Sequence, residues 1–507
     1  MTSENSNVPR VNPPHSKAPH FDVLIIGAGL SGIGAAHHLQ TRCPGRSYAI
    51  LESRSRIGGT WDLFRYPGVR SDSDMYTLGY SFRPWEQPKA IADGPSILKY
   101  VQDAARDGGI EQHIRFGHQV KRASWSTPDA RWTVDADCED LNELGQAAPP
   151  KEPMQFTCNF LFMCSGYYSY ANGYTPDFPG KERFTGQIVH PQKWTDSIAH
   201  AGKRVVVIGS GATAVTLVPE LAKTAAHVTM LQRSPTYVVA RPSEDAMAHR
   251  LRRHLPAMLA YGITRWKRVL LGMYIFNLCR SNPAKVKRMI AGGVRLALGP
   301  DYDVDQHFAP RYNPWDQRLC LVPDGDLFTA IKSQRASVVT DEIDTFTEAG
   351  IRLKSGTELP ADLIVTATGL CLQVLGGLQI TVDGARIDMA KTMNYKGLMY
   401  SGIPNLASSF GYTNASWTLK CDLTCEYVCR LLNHMAKRGY TQCTPRNADA
   451  SITEQPWVDF SSGYLQRSMH LFPKQGSRAP WKLYQNYPKD IMLLRFGKIA
   501  DGVIAFA

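Results

Sequence analysis

The stretch Phe21-Asp-Val-Leu-Ile-Ile-Gly27-Ala-Gly29-Leu-Ser-Gly32 sets the fold of the first part of this 507-residue chain. Its apolar run predicts a buried β-strand that passes directly into a Gly-x-Gly-x-x-Gly loop, and the residues after the loop predict a helix. A second apolar strand over residues 48–51 ends at Glu52. In such a βαβ unit the glycines let the backbone approach a pyrophosphate, the helix N-terminus stabilises its charge, and the acid accepts from a ribose hydroxyl. We therefore predict a dinucleotide site at Gly27, Gly29, Gly32 and Glu52.

The residues that follow favour FAD as the dinucleotide of this first site. The segment Ile57-Gly-Gly-Thr60-Trp61 resembles the one with which FAD-dependent monooxygenases continue around the flavin. No Cys-x4-Cys pair follows the loop, which argues against a flavin disulfide reductase. A dehydrogenase that uses NAD would not need a second dinucleotide fold downstream. Thr60 and Trp61 are therefore predicted to contact FAD.

A second strand, loop and helix begin near residue 204, and this unit favours NADPH. The apolar strand 204–208 enters Gly209-Ser-Gly211-Ala-Thr213-Ala214, and the partner strand over 227–231 ends in Gln232-Arg233-Ser234. An acid at that place would repel a 2′-phosphate, whereas the planar guanidinium of an arginine offers it a fork of donors. An Arg233 that is merely solvated at the surface is the alternative. The predicted NADPH contacts are Gly209, Gly211 and Thr213 near the pyrophosphate, with Arg233 and Ser234 on the 2′-phosphate.

Together the two units predict an α/β protein with two Rossmann-like dinucleotide-binding domains, one for FAD and one for NADPH. We expect the FAD domain to comprise residues 19–170 and 340–507, and the NADPH domain residues 171–245 and 301–339. Residues 246–300 are expected to form a helical insertion in the NADPH domain. A chain of this length can form several domains with separate cores. Residues 138–153 are polar and contain proline, so we expect an exposed loop there.

The composition predicts a cytoplasmic protein without a membrane span. Residues 1–18 are polar and Pro-rich with no apolar signal-peptide core, and they predict a disordered tail. Eleven cysteines are scattered without a paired framework, which suits a reducing compartment. The uncharged run 363–382 has the length of a membrane span, but it is interrupted by Gly, Thr and Gln, which excludes a transmembrane helix. Cys421, Cys425 and Cys429 share one helix face with no further ligand in register, so we predict a buried face and no metal site.

Between the two units lies the segment Phe184-Thr-Gly186-Gln-Ile-Val-His190-Pro-Gln-Lys-Trp194. Its spacing F-x-G-x-x-x-H-x-x-x-W resembles the fingerprint of the type I Baeyer–Villiger monooxygenases. Thr195 stands where that family usually has Pro or Asp, and a linker with an incidental His and Trp is the alternative. The resemblance runs from about residue 21 to the C-terminus and is nearest to the ethionamide-activating branch. Its most specific stretches are 64–85, 209–219, 313–323 and 411–420.

The resemblance implies a reaction and two residues that serve it. In this family NADPH reduces FAD, O₂ adds to give a C4a-peroxyflavin, and ketones become esters or lactones; the branch also oxidises sulfides and thioamides. It implies that Arg318 is catalytic, since an always-charged guanidinium stabilises an anionic peroxide and the oxyanion of its adduct. It also implies that Asp72 orients Arg318. Gln317 stands where the family has a lysine that contacts the NADP phosphate.

Two later segments complete the expected site. Residues 362–369 predict the strand and turn at which flavoprotein monooxygenases re-enter the FAD domain. The Gly- and Asn-rich residues 405–417 predict a loop over the flavin or the substrate. The implied partners are O₂ and a small-molecule ketone, sulfide or thioamide.

The predicted insertion accounts for most of the chain's net positive charge. Residues 246–300 contain eleven Lys or Arg and no Asp or Glu, in a chain of net charge +12. The favoured interpretation is a helical subdomain whose charges face water, with little or no binding to membranes. A basic amphipathic segment on an anionic membrane surface is the alternative. Nucleic-acid binding is not expected, because no recognition motif accompanies the charge.

Two other functions stay open at this point. A flavin-containing N- or S-hydroxylating monooxygenase would share both loops, but that group typically lacks the pair Asp72 and Arg318 and differs at Trp194. A membrane-surface flavoprotein without oxygenase activity is the non-enzymatic alternative. Product analysis with a ketone, a sulfide and an amine separates these functions.

Overall fold

The computed structural model describes residues 18–141, 147–317, 319–458 and 462–507. The strands of this part of the chain, in order, are β1 (His20–Ile26), β2 (Tyr48–Leu51), β3 (Ile114–Arg115), β4 (His118–Ser126), β5 (Arg131–Leu141), β6 (Ala147–Met163), β7 (Tyr168–Gly173), β8 (Gln187–Val189), β9 (Arg204–Ile208), β10 (His227–Gln232), β11 (Tyr237–Arg241), β12 (Leu319–Pro323), β13 (Ala336–Thr340), β14 (Ile343–Thr347), β15 (Gly350–Leu353), β16 (Glu358–Pro360), β17 (Leu363–Thr366), β18 (Leu370–Leu372), β19 (Gln379–Val382), β20 (Ala385–Arg386), β21 (Asn394–Tyr395), β22 (Met399–Tyr400), β23 (Leu406–Ser408), β24 (Cys443–Pro445), β25 (Glu454–Gln455), β26 (Gln475–Gly476) and β27 (Ile504–Phe506).

Helices are distributed along the same residues. In chain order they are α1 (Leu30–Arg42), α2 (Thr60–Leu63), α3 (Met75–Leu78), α4 (Gly94–Asp107), α5 (Ala212–Leu221), α6 (Ala246–His254), α7 (Ala257–Ser281), α8 (Pro283–Leu298), α9 (Val304–Phe308), α10 (Asp326–Lys332), α11 (Trp417–Arg438), α12 (Gly463–Ser468) and α13 (Tyr487–Asp490), which continues into a π-helical turn, Ile491–Phe496.

The first predicted strand lies inside a large mixed sheet. β1 pairs in parallel with β2 on one side and β6 on the other, and Val23, Leu24 and Ile25 are completely buried. The order is β3-β2-β1-β6-β5-β4-β19-β20, and β23 also pairs with β6. A strand covered on both faces has a continuous apolar run rather than an alternating one. Helix α1 packs against β1 and against the long helix α11.

The second predicted unit forms a separate parallel sheet. Its order is β13-β10-β9-β17-β8, with β9 and β10 in the predicted βαβ arrangement. Helices α5 and α10 pack beside it, and their apolar residues join those of β9 and β10 in one core. The prediction of two Rossmann-like units is therefore confirmed.

Strand β17 belongs to the second sheet, so one domain boundary differs from the one expected from the sequence. It lies between β9 and β8, with Val365 beside Val207 and Val189. The chain therefore stays with the second sheet through Thr366, whereas the sequence expectation returned it to the first domain at residue 340. The boundary was misplaced because a four-residue strand carries no local sign of which sheet it joins. The strand predicted within 362–369 is itself confirmed.

Two connections join the units side by side. β7 follows β6 of the first sheet, and β18 follows β17 of the second. These two strands pair antiparallel, with Leu370 opposite Gly173 and Leu372 opposite Tyr168. The chain thus passes between the sheets through one short two-stranded ribbon.

Residues 138–153 continue the first sheet for most of their length. The exposed loop expected there is wrong, since β5 extends to Leu141 and β6 begins at Ala147, and the two strands pair antiparallel. Ladder pairing satisfies the backbone polar groups even where the sequence is polar and contains proline.

The predicted helical insertion is confirmed as α6, α7 and α8. Its charges were expected to face water, but three of them face the protein interior. Arg265 is buried, with Nη2 3.4 Å from Asp422 Oδ2. Lys267 and Arg268 both pair with the buried Asp245, at 2.7 and 2.5 Å. Buried carboxylates are costly unless they are paired. The three cations therefore turn inward towards Asp245 and Asp422.

Within the described ranges, no helix combines the length and the apolar character that a bilayer crossing requires. Among the same residues there is no cluster of His, Cys, Asp and Glu that could hold a metal ion. The three cysteines of α11 at 421, 425 and 429 are buried, as predicted.

Candidate active site

A cavity of about 1680 Å³ is lined by both Gly-rich loops and by helices α7 and α8. Ordinary ligand pockets measure roughly 300–1,000 Å³. The larger volume can hold more than one ligand, and both loops can reach their ligands from one shared space.

The first loop is tight at its turn and open where it meets the cavity. Gly27 has φ +106°, and a Cβ on Gly32 would lie 1.9 Å from the carbonyl oxygen of Gly27, so neither position admits a side chain. Gly29 lines the cavity and precedes helix α1, where no side chain caps the helix. The first N–H groups of α1 are thus left for a ligand, and a helix N-terminus of this kind favours an anion.

Glu52 sits at the end of β2, as predicted, and lines the cavity. It is 4% exposed, and its carboxylate accepts from the backbone N–H of Ala28 at 2.7 Å and of Arg54 at 2.9 Å. Burial raises the pKa of Glu52, and the two backbone donors act against that rise. The carboxylate is therefore held in place while it keeps acceptor capacity towards the cavity.

Thr60 and Trp61 open helix α2, and both line the cavity. The Thr60 side chain lies near enough to the hydroxyl of Tyr170, another cavity residue, to lower the pKa of that phenol. The predicted flavin segment therefore lies on the same wall as the first loop.

Tyr66, which the sequence did not single out, connects the region of Asp72 with the second loop. The Thr213 side chain lies near enough to its hydroxyl to lower the pKa of Tyr66. Burial, together with the charge of Asp72, raises the pKa of Tyr66 to about 12, so the phenol stays neutral. Asp72 is exposed, and all three residues line the cavity. The aspartate and the second loop thus face one space.

The second loop repeats the geometry of the first. Gly209 has φ +130°, and a Cβ there would lie 2.4 Å from the carbonyl oxygen of Ala367. Gly211 precedes helix α5, lines the cavity and has open space where a Cβ would be. The tight turn and the open helix N-terminus thus recur in the same order.

The end of β10 differs from the end of β2. Gln232 is buried, and its Nε2 donates to the carbonyl oxygen of His307 at 2.8 Å and to Thr340 Oγ1 at 2.9 Å. Arg233 and Ser234 are exposed and do not line the cavity. Their place at the outer end of the second unit leaves them accessible to a ligand that extends beyond the cavity.

Gln317 lines the cavity, and so does Leu319 at the start of β12. Arg318, the predicted catalytic residue, lies outside the described residues.

The fingerprint residues lie just before and after strand β8 of the second unit, and none of them lines the cavity. Phe184 packs on Phe346, and Trp194 is buried in the core of the second sheet. A Cβ on Gly186 would lie 2.5 Å from the Phe184 ring. His190 lies 3.0 Å from the carbonyl oxygen of Gly369, and burial lowers its pKa.

An aromatic cluster that the sequence did not predict forms another wall. Tyr167 stacks on Trp417 with ring centroids 4.9 Å apart, and Trp417 Nε1 donates to Ser31 Oγ at 3.0 Å. Residues 412–417 line the cavity, which agrees with the loop expected there. Tyr167 comes four residues after Met163, the last residue of β6, and that position beyond the end of a parallel strand could have marked it.

Helices α7 and α8 also contribute to the cavity, which was not predicted either. Val269, Met273 and Phe276 of α7 line it together with Val286 and Ile290 of α8. The apolar run 269–276 was the sequence feature that could have indicated a ligand-facing wall. The segment that was expected to form a helical subdomain with its charges in water thus also forms part of the cavity wall.

Comparison with known proteins gives matches over nearly the whole chain. Residues 25–87 match the NAD(P)-binding Rossmann-like domain, and residues 85–267 match the flavin-binding monooxygenase-like family. The FAD-containing monooxygenase EthA of Mycobacterium tuberculosis (strain H37Rv) is 54% identical over 490 residues, which is 96% of this chain and 98% of that protein. The putative FAD-containing monooxygenase MymA of the same organism is 50% identical over 493 residues, or 96% of this chain and 98% of MymA.

Solved structures share the fold at lower identity. An oxidised steroid monooxygenase bound to NADP superposes with a TM-score of 0.75 at 22% identity, covering 96% of this chain and 99% of the other. The enzyme OTEMO in complex with FAD and NADP gives a TM-score of 0.72 at 23% identity, covering 97% and 100%.

Proposed function

The chain belongs to the FAD-containing monooxygenases related to EthA, and from this premise we propose that it uses NADPH and O₂ to convert ketones to esters or lactones. We propose the same site for the oxidation of sulfides and thioamides. The observation that carries the proposal is the shared cavity, because two dinucleotide loops of different character, Gly27–Gly32 and Gly209–Ala214, line one space.

The residues of the first loop fit FAD. The tight turn at Gly27 and Gly32 brings the start of α1 to the cavity, where its free N–H groups suit a pyrophosphate. The buried carboxylate of Glu52 suits a ribose hydroxyl, and Thr60 and Trp61 would lie along the flavin half. When bound, FAD supplies the redox chemistry that activates O₂.

The residues of the second loop fit NADPH. Gly211 and Thr213 would hold the pyrophosphate at the start of α5, and Arg233 and Ser234 would bind the 2′-phosphate. The equivalent of Glu52 is here Gln232, whose side-chain amide is engaged with His307 and Thr340, so no carboxylate opposes a phosphate. Gln317 lines the cavity and would contact the coenzyme as a neutral donor.

The chain's own part in oxygen transfer is assigned to Arg318 and Asp72. Arg318 would stabilise the negative charge that develops on the carbonyl oxygen of the ketone, which preorganised cations do well in a water-excluded site. Asp72 would orient that guanidinium, and its exposure in the cavity is compatible with such a contact. The apolar wall from α7 and α8 would exclude water and accept the apolar part of the substrate.

These assignments divide the chain by ligand. We assign FAD to residues 19–170 with the segment after Thr366, and NADPH to residues 171–245 and 301–366. The insertion 246–300 would then supply the substrate wall.

Product analysis tests the proposal. Purified enzyme with NADPH and O₂ is given a linear ketone, an aryl methyl sulfide and a tertiary amine in separate reactions. We expect ester from the ketone and sulfoxide from the sulfide. Amine oxide or sulfoxide with no ester from any ketone would instead indicate an N- or S-hydroxylating flavin monooxygenase.

A further inference from the structure

The outer face of helix α7 exposes a continuous apolar stripe. Leu259, Ile263, Trp266, Leu270 and Tyr274 are 52, 38, 45, 57 and 64% exposed. Their spacing of four, three, four and four residues places them on one side of the helix, over about four turns. Isolated exposed apolar residues are ordinary, but a contiguous apolar patch on a protein marks an interaction surface.

The stripe is distinct from the cavity wall, although the same helix carries both. None of its five residues lines the cavity, whereas Val269, Met273 and Phe276 do. Helix α7 is therefore apolar on its cavity side and on its outer side. A surface helix normally buries its apolar face and exposes its polar one, whereas α7 also exposes an apolar stripe that nothing covers among the described residues.

The exposed charges that the insertion itself carries have one sign. The inward cations of α7 are paired with Asp245 and Asp422, whereas Arg250, Arg252 and Arg253 of α6 and Lys285 and Arg288 of α8 are exposed. Residues 246–300 contain no Asp or Glu at all. An apolar stripe on an insertion whose own charges are all positive, with α6 and α8 packed against α7, complements a surface that is apolar inside and negative at its rim.

A neighbouring segment extends the exposed apolar surface. The ring of Trp266 lies 5.8 Å from that of Tyr487 in α13, centroid to centroid. The π-helical turn that follows α13 exposes Met492 and Phe496, which are 63 and 65% exposed. The stripe therefore does not end at α7.

We propose that the outer face of α7, with the basic residues of α6 and α8 beside it, docks onto an anionic lipid surface. Helix α7 would lie in the plane of the interface, as amphipathic helices with basic flanks do. No described helix has the properties of a membrane span, so the contact is peripheral. This proposal departs from the preference drawn from the sequence, which had the charges in water and little or no membrane binding. The inference goes beyond the oxygenase function and does not depend on it.

Vesicle flotation of the full chain tests the proposal. The probes are phosphatidylcholine vesicles with and without about one-third phosphatidylglycerol, at 0.15 M salt. We expect flotation with the anionic vesicles, a several-fold weaker partition to the neutral ones, and a steep loss at higher salt because the charges are screened. No flotation with anionic vesicles would overturn the proposal.

Matched variants locate the contact. Leu259→Glu/Leu270→Glu should weaken partition at least tenfold, whereas Met154→Glu/Leu471→Glu, at exposed apolar positions elsewhere, should not change it. Arg252→Gln/Arg253→Gln should weaken it roughly tenfold, and Lys437→Gln/Arg438→Gln, with the same charge loss on α11, should weaken it much less. Equal losses in each pair would mean that net charge or polarity, not this surface, drives binding.

Trp266 offers a direct reporter. Brominated lipids should quench part of the tryptophan fluorescence of the wild type, and Trp266→Phe should remove that part. The competing occupant is a second copy of this chain, whose signature is dimerisation, measured by light scattering, that Leu259→Glu/Leu270→Glu abolishes. Such dimerisation without lipid quenching would overturn the proposal.

Discussion

His190 and Gly369 join the two connections between the sheets. The His190 Nδ1 accepts from the backbone N–H of Gln192 at 3.2 Å, so its Nε2 carries the proton and donates to the carbonyl oxygen of Gly369 at 3.0 Å. The ring also presses on Gly173, where a Cβ would lie 1.9 Å from Cε1. Gly173 ends β7 and Gly369 precedes β18, so one neutral imidazole holds both strands of the ribbon.

This contact makes the joint sensitive to acid. Burial lowers the pKa of His190 below its usual value of about 6.5. The folded state then binds fewer protons than the unfolded state, so stability falls as the pH drops through about 6.5 and is unaffected above it. We expect His190→Gln to have a flatter profile of unfolding free energy between pH 7.5 and 5 than the wild type. A parallel profile would show that acid acts on another group, such as His37, whose pKa burial lowers to about 4.

Adding one methyl group to each loop in turn can show which cofactor each loop binds. Gly29 and Gly211 both have φ −78°, so alanine is conformationally allowed at either position. We expect Gly29→Ala to lower the flavin content of the purified protein, because the methyl group enters the first cofactor's space. Gly211→Ala should keep its flavin and raise the KM for NADPH. If both variants lost flavin equally, the two loops would not serve different cofactors.

Coenzyme choice should depend on Arg233. A hydrogen bond from a charged donor contributes about 1.5–3 kcal/mol, so Arg233→Ala should raise the KM for NADPH roughly tenfold or more. The KM for NADH should change little, because NADH has no 2′-phosphate. Steady-state NAD(P)H oxidation measures both. Equal changes in the two KM values would show that Arg233 does not bind the 2′-phosphate.

Oxygen transfer should depend on Arg318. One preorganised donor is worth about 3–4 kcal/mol, so Arg318→Ala should lose at least about a hundredfold in ester formation while FAD content and reduction by NADPH persist. NADPH consumption should then release hydrogen peroxide. Arg318→Lys should not restore ester, since an ammonium lacks the guanidinium fork, and Asp72→Ala should give a smaller parallel loss. Ester at a near wild-type rate in Arg318→Ala would show that the residue is not catalytic.

The packing of α7 against the rest of the protein, and with it the free energy of unfolding, should depend on Asp422. This carboxylate is 3% exposed and lies 3.4 Å from both Arg265 and His38. Asp422→Asn leaves a buried guanidinium uncompensated, and removal of one partner of a buried pair costs about 3–5 kcal/mol. Denaturant titration should show this loss.

Two controls accompany the Asp422 variant. Asp177→Asn, in the exposed pair with Lys181, should leave the free energy of unfolding unchanged. Arg265→Met combined with Asp422→Asn should cost less than the sum of the single changes, because the two residues are coupled. Additive losses would mean that the pair does not seat the helix.

The sequence predicted those features whose signals are local. A buried strand, a glycine turn and a helix follow one another within about twenty residues in both units, and the structure confirms both. Gly32 illustrates why, because its missing side chain is required by the carbonyl of Gly27, only five positions earlier. The acid at Glu52 and its replacement by Gln232 are equally local.

What the sequence missed depends on distant partners. Leu363–Thr366 joins β9, which lies more than 150 positions earlier, and nothing within the four residues indicates that sheet. Arg265 turns inward because Asp422 is buried beneath it, a need that α7 alone does not show. Tyr66 matters through Thr213, in the other unit. The apolar run 269–276 predicted a helix but not the cavity on one side of it.

The pairing of β23 with β6, and the packing of α11 on α1, have a consequence for the order in which this protein can fold during its synthesis. The second sheet is drawn from one continuous segment, residues 187–366, and can close as soon as that segment has emerged. The first sheet and its helical cover need residues up to 438. In the nascent chain, the Gly27–Gly32 loop therefore lacks the packing of β23 and α11 until most of the protein has been translated. A premature stop after residue 366 would leave the second sheet complete. The first sheet would lack strand β23 and the helix α11 that covers it.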